Sequence, residues 1–231
     1  MVFCFLETKM SIHLISGPMF SGKTKNLLHR LKKYEDRDVI LIKHSSDARY
    51  SVTPTIISHG GEKRAAIILK NLNEITKESN LFLNSTIFAI DEGQFFTDII
   101  ETTQQWAAHG KHVIISSLSS GIFMQPISHI AKLMSKSDKV TILQGTCKSC
   151  LGRASFTYRL TPFSEYLEPR DPHFYLGSAL EYAPLCRRCF IKRLQYDFKS
   201  KEGMFSNKGY LKIASAFDFI LKMNTNIIGE T

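Results

Sequence analysis

The sequence predicts an α/β fold, a mostly parallel β-sheet with helices on both faces and a small appended unit. Three observations lead there. Strand-like and helix-like stretches alternate up to about residue 145, a glycine-bearing loop joins the first strand to the first helix, and the alternation stops at the first of two Cys-x-x-Cys pairs. In chain order, strands are expected at 12–16, 38–43, 86–90, 112–117 and 139–143, and helices at 23–34, 71–80, 97–108 and 126–135. In such a sheet ligands gather at the carboxyl ends of the strands, where Gly17–Thr24, Asp91–Glu92 and Leu118–Ser119 all fall.

The first strand, Ile12-His13-Leu14-Ile15-Ser16, runs into Gly17-Pro18-Met19-Phe20-Ser21-Gly22-Lys23-Thr24 and then into the first helix. This is the strand, loop and helix order that a phosphate-binding P-loop requires. Gly17 lets the chain turn, Gly22 admits a phosphate with no side chain in the way, and the helix start offers free N–H groups. Lys23 is placed to reach the β/γ-phosphates and the Thr24 hydroxyl to sit on Mg²⁺. An ordinary glycine turn before a helix is the alternative.

Thr86-Ile87-Phe88-Ala89-Ile90 is the apolar, β-branched run of a strand covered on both faces, and it ends in Asp91-Glu92. An acid here holds Mg²⁺ opposite the loop hydroxyl, directly or through water. A second carboxylate beside it leaves the strand end in another direction and can take a proton from a nucleophile. A solvated turn would also tolerate the pair.

Cys147-Lys148-Ser149-Cys150 and Cys186-Arg187-Arg188-Cys189 supply four thiolates, the set of a closed structural zinc site. Two disulfides are the alternative. The fifth cysteine, Cys4, stands unpaired, and the apolar start is too short for a secretory h-region and has no basic n-region, so zinc and a reducing compartment are favoured. With 231 residues, 43% of them hydrophobic, the chain can bury one core and a small satellite, and no apolar run approaches membrane-spanning length. The formal net charge of +9 suits an anionic partner, and both nucleic acid and a nucleoside triphosphate meet that condition.

Five motifs then form a resemblance. The loop at 17–24, Asp-Ala-Arg-Tyr-Ser at 47–51, Asp-Glu-Gly-Gln-Phe-Phe at 91–96, the paired knuckles and Phe-Thr-Tyr-Arg-Leu at 156–160 resemble type II thymidine kinases, the zinc-containing cellular and poxviral kind. The likeness covers roughly Ser11 to Arg193. It implies a P-loop, RecA-like ATP-binding domain at 11–145, a zinc-binding lasso domain at 146–193, an N-terminal extension at 1–10 and a basic tail at 194–231 of unread role. It further implies transfer of the γ-phosphate of ATP to the 5′-hydroxyl of thymidine, and of deoxyuridine, in nucleoside salvage for DNA synthesis. Mg²⁺ and a structural zinc serve that chemistry. A cytoplasmic homotetramer with feedback inhibition by dTTP and no membrane association is expected on the same grounds.

By the same likeness Gly17 to Thr24, Asp91 and Gln94 bind the nucleotide and its metal, and Glu92 is the base. Lys23 and Arg49 stabilise phosphate charge. Met19, Phe95, Leu118, Phe123, Thr157, Leu176, Gly177 and Tyr182 surround the nucleoside, the lasso reading the base edge through its backbone. The chain departs from the family at Leu118-Ser119-Ser120-Gly121-Ile122-Phe123, where an acid after the leucine is replaced by Ser119 and the phenylalanine falls one place late. Gly177-Ser178 replaces a Gly-Gly turn, and 161–174 is longer and richer in proline and aromatics. A nucleic-acid-stimulated P-loop ATPase shares the loop, the acidic pair and the charge. It ordinarily needs a second motor domain, for which this chain is too short.

Overall fold

A computed structural model describes residues 10–34, 38–47, 55–57, 63–122, 124–160 and 179–199. In chain order these form β1 (Ser11–Gly17), α1 (Lys23–Leu31), β2 (Val39–His44), β3 (Thr55–Ile57), β4 (Lys63–Ala65), β5 (Ile67–Leu69), α2 (Asn80–Asn84), β6 (Ile87–Ile90), α3 (Ile99–Ala108), β7 (His112–Leu118), α4 (Ser128–Met134) and β8 (Lys139–Ile142). The cysteine-bounded part adds β9 (Gly145–Thr146), β10 (Arg153–Ala154), β11 (Phe156–Arg159), β12 (Tyr182–Leu185) and α5 (Arg187–Lys199).

Six strands pair in the order β5-β2-β6-β7-β1-β8, every neighbour parallel, as expected for alternating strands and helices. Because side chains alternate across a strand, each buried strand feeds two cores. Ile12, Leu14, Phe88, Ile90, Val113 and Ile115 point to one face and meet Ile99 and Trp106 of α3 and Ile130 and Leu133 of α4. Ile15, Leu41, Ala89 and Ile114 point to the other and meet Leu27, Leu28 and Leu31 of α1. Those leucines recur at helical spacing, so one stripe of α1 is apolar while Lys25 and Asn26 face outward. Trp106 and Phe88, with ring centroids 4.4 Å apart, bring the largest buried surfaces of the first core together.

Two expectations need correction. The helix expected at 71–80 is instead a 3₁₀ turn, Leu72–Glu74, followed after a break by the short α2. Glu74 Oε1 accepts from the backbone N–H groups of Lys70 and Asn71, and Ser79 Oγ accepts from Phe82 N–H. Polar side chains that cap so well start two short elements rather than sustaining one. The sheet also has a sixth strand, β5, whose three residues are too few to declare a period.

The cysteine-bounded unit folds as two small antiparallel ladders, β9 with β10 and β11 with β12, covered by α5. Its core is separate and consists of Cys147, Ala154, Tyr158, Leu185, Phe190 and Leu194. Tyr158 and Phe190 pack edge to face at 5.0 Å, and the Tyr158 hydroxyl donates to Asp197 Oδ2 at 2.6 Å. α5 therefore stays anchored on β11 through Leu194 and Asp197.

Candidate active site

The loop after β1 is held in a shape that needs its glycines. A β-carbon at Gly17 would lie 2.6 Å from the Leu143 carbonyl oxygen, and Gly22 adopts φ +81°, which side chains rarely permit. From Gly22 the chain enters α1, whose first turn carries no acid, leaving its amide groups aimed out of the helix start. Lys23 is buried, and its Nζ arches back to the Pro18 carbonyl at 2.8 Å, across the loop that would enclose a phosphate.

Two strands away, β6 delivers Asp91 and Glu92, both buried. Thr24 Oγ1 donates to the Asp91 carboxylate at 3.1 and 3.2 Å, and Ser116 Oγ of β7 donates to Asp91 Oδ1. Two hydroxyls thus fix the carboxylate. Neighbouring oxygens on a Mg²⁺ with bonds of 2.0–2.1 Å stand roughly 3 Å apart, so the Thr24 and Asp91 oxygens fit that ion. Glu92 has φ +52° and ψ +47°, a left-handed backbone that costs a non-glycine residue roughly 1–3 kcal/mol. That turn bends the chain off the strand end into the 3₁₀ segment Gly93–Phe95.

A pocket open to solvent lies beside the loop and is lined by Met19, Leu118, Ser120, Gly121, Ile122, Thr157 and Tyr182. The backbone N–H of Met19 donates to Thr157 Oγ1 at 2.9 Å, and Ser119 N–H donates to the Gly17 carbonyl at 3.3 Å. Three separate pieces of chain, the phosphate loop, the end of β7 and the β11–β12 ladder, make one wall.

The four thiols of Cys147, Cys150, Cys186 and Cys189 lie with all Sγ atoms within 4.8 Å of one another. Cys150 Sγ and Cys186 Sγ are 3.7 Å apart, and Cys189 N–H donates to Cys186 Sγ. Zn–S bonds near 2.3 Å in a tetrahedron put sulfurs roughly 3.8 Å apart, so the cluster could hold a zinc ion. Burial opposes ionisation of Cys147, but the backbone amides of Cys186, Cys150 and Ser149 and the Cys150 thiol outweigh it and push that thiol down to about 6.

The thymidine kinase family model matches residues 10–190, most of the chain. The chain belongs to the thymidine kinase family. It is 35% identical over 183 residues to a thymidine kinase of Yaba monkey tumor virus (strain VR587), covering 78% of this chain and 94% of that one. It is also 31% identical over 189 residues to the human cytosolic thymidine kinase, covering 81% of this chain and 76% of that one. Relatives in a virus and in a cellular organism carry the same kinase name, which favours a transferase over a nucleic-acid-stimulated ATPase.

Within this family frame, the structure gathers Lys23, Thr24, Asp91 and Glu92 at one sheet edge and Met19, Leu118, Thr157 and Tyr182 around one pocket. Phe95 stands apart from that lining, stacked on His44 with centroids 5.5 Å apart. Arg49, Phe123, Leu176 and Gly177 lie outside the described residues. Sequence reading missed Ser116 and Ser117, although two serines at the carboxyl end of a doubly covered strand were a usable signal. Ser120, Gly121 and Ile122, which fall in the segment that departs from the family pattern, line the pocket. His129, whose Nε2 bonds to the Gln94 carbonyl at 2.9 Å, gave no signal at all. Among the described residues no helix is long and apolar enough to cross a membrane.

Proposed function

We propose that this chain transfers the γ-phosphate of ATP to the 5′-hydroxyl of thymidine, with deoxyuridine as a second substrate. One observation carries the reading: Met19 belongs to the phosphate loop and to the pocket wall at once, so a nucleoside in the pocket has its sugar end beside the phosphates. Phosphoryl transfer asks chiefly for positioning and for charge neutralisation along the line of attack. The loop amides and Lys23 hold the triphosphate, phosphate oxygens taking the place of the Pro18 carbonyl as partners of Nζ. Thr24 and Asp91 would hold Mg²⁺, which when bound neutralises charge on the β and γ oxygens. Ser116 keeps the Asp91 carboxylate turned toward that site, and Glu92 takes the proton of the 5′-hydroxyl. Arg49 adds charge to the phosphates by family likeness, while the side-chain amide of Gln94, which the same likeness gives to the nucleotide side, is bonded instead to Glu92, Ser117 and Leu118.

Met19, Leu118, Thr157 and Tyr182 close around the base, and by family likeness alone Phe123, Leu176, Gly177 and Phe95, the last outside this lining, belong to the nucleoside site. The four cysteines hold a structural zinc that ties the β11–β12 ladder in place over the loop. The family likeness also supports a cytoplasmic homotetramer inhibited by dTTP. Backbone groups that read N3–H and the C4 carbonyl of thymine meet a reversed pattern at N3 and C4 of cytosine, leaving buried polar groups unpaired. A methyl contact is worth only about 1–3 kcal/mol, so the altered segment after Leu118 relaxes choice at C5.

The test is transfer of labelled phosphate from ATP to thymidine, deoxyuridine, a 5-ethyl analogue and deoxycytidine. Comparable kcat/KM for the first three and a poor value for deoxycytidine support the reading. Efficient use of deoxycytidine would remove the base-reading argument, and hydrolysis stimulated by single-stranded DNA without nucleoside phosphorylation would remove the kinase assignment.

A further inference from the structure

Gln94 is 1% exposed, and its side chain joins two parts of the site. Nε2 donates to Glu92 Oε2 at 2.5 Å, while Oε1 accepts from Ser117 Oγ at 3.1 Å and from the backbone N–H of Leu118 at 3.1 Å. The amide can lie only one way round. A backbone N–H can only donate, so the atom facing Leu118 is the oxygen, and this turns the NH₂ group onto a carboxylate that, when ionised, can only accept. The Gln94 carbonyl is bonded in turn to His129 Nε2 on α4. The residue is therefore locked at both its side chain and its backbone.

Glu92 needs such a lock. Its left-handed backbone is unfavourable for a side-chain-bearing residue and persists only where the surroundings over-determine it. Leu118, the other end of the chain of contacts, lines the nucleoside pocket. We propose that Gln94 is a positioning residue for phosphoryl transfer, holding the Glu92 carboxylate at a fixed place relative to the β7 end that forms the pocket wall. The inference rests on the reading of Glu92 as the proton acceptor and adds to it what aims that acceptor. A displacement near 1 Å in such a group is enough to cost about a hundredfold in rate.

The test is a double-mutant cycle on the full chain, with steady-state kinetics in thymidine and Mg-ATP. Gln94→Met removes all three side-chain bonds without adding charge. Gln94→Glu keeps the size and the oxygen toward Ser117 and Leu118 while losing the donor when ionised, and it serves where Gln94→Met does not fold. The expected result is a kcat lower by about 10- to 100-fold with the KM for ATP within about twofold. In a Glu92→Gln background the same change should lower kcat no further, because the group it aims is already gone. Losses that multiply in that background, near-normal turnover in both Gln94 variants, or a raised ATP KM with kcat unchanged would each overturn the positioning role. The first would mark a structural residue and the last a nucleotide contact. If Glu92→Gln itself retained wild-type turnover, the base assignment would fall and the proposal with it; a slow Glu92→Gln with unaffected Gln94 variants would leave the base in place and remove only the proposal.

Discussion

The backbone N–H of Met19 donates to the hydroxyl of Thr157 at 2.9 Å, joining the phosphate loop to the cysteine-bounded unit across 138 residues of sequence. Both groups are buried, so neither has water to fall back on. Thr157→Val keeps the shape and removes the acceptor, leaving a buried donor unsatisfied at a cost of about 1–3 kcal/mol. The expected outcome is a KM for thymidine raised several-fold with little change in the KM for ATP, and Thr157→Ser should restore most of it. Equal KM values in the Val variant and the parent would mean the bond is incidental to the pocket.

Glu92 and Lys23 should fail differently. Glu92→Gln is expected to keep nucleotide binding and to lower turnover by about 10²–10⁴-fold, the usual contribution of a placed general base. Lys23→Ala removes charge that serves the phosphates in ground state and transition state alike, so binding and turnover should fall together. Nucleotide titration alongside initial rates separates the two patterns.

The cysteine cluster makes a compositional prediction: elemental analysis should find one zinc per chain. Cys150→Ser should lose the metal and loosen β9 to β12, seen as faster amide exchange there while β1, β6 and β7 stay protected. Because Thr157 and Tyr182 sit on that unit, thymidine binding should weaken more than ATP binding. Zinc-free protein with its thiols paired as disulfides contradicts the assignment.

At the opposite end of the sheet, His112 is buried with its ring edge-on to His13 at 4.6 Å and its Nδ1 2.7 Å from Ser11 Oγ. Burial, then the neighbouring His13, and further the charges of Lys33 and Arg30 push it from its usual 6.5 down to about 4, against the bond from Ser11. Above the unfolded value both states are neutral and this contribution to stability is whole. Between roughly 6.5 and 4 the unfolded chain binds a proton that the folded chain refuses, so stability falls as pH falls, by about 1–3 kcal/mol. Urea midpoints at pH 7, 6 and 5 should show this slope in the parent and a shallower one in His112→Gln. An unchanged slope in the variant would place the acid sensitivity elsewhere.

What was legible in the sequence is what contiguous residues specify by themselves. Gly17 to Thr24 encodes its own turn, because Gly22 at φ +81° holds a local backbone shape that side chains rarely permit. The Asp91-Glu92 pair ends an apolar, β-branched run of the kind a covered strand requires, and two Cys-x-x-Cys pairs offer a ligand set before any coordinate is known. The helix expected at 71–80 does not form because local capping by Glu74 and Ser79 overrides the coarse alternation.

The tertiary structure decided which distant segments became neighbours, since a strand's period says what faces a core and not which strand lies beside it. Placing β7 between β6 and β1 brings Ser116 onto Asp91 and Ser117 onto Gln94. Seating the β11–β12 ladder over the loop brings Thr157 and Tyr182 to Met19. These are contacts between segments far apart in the chain, and the side chains that make them, serines, a threonine and a glutamine, are common enough to pass for ordinary polar residues until the sheet order places them at one edge.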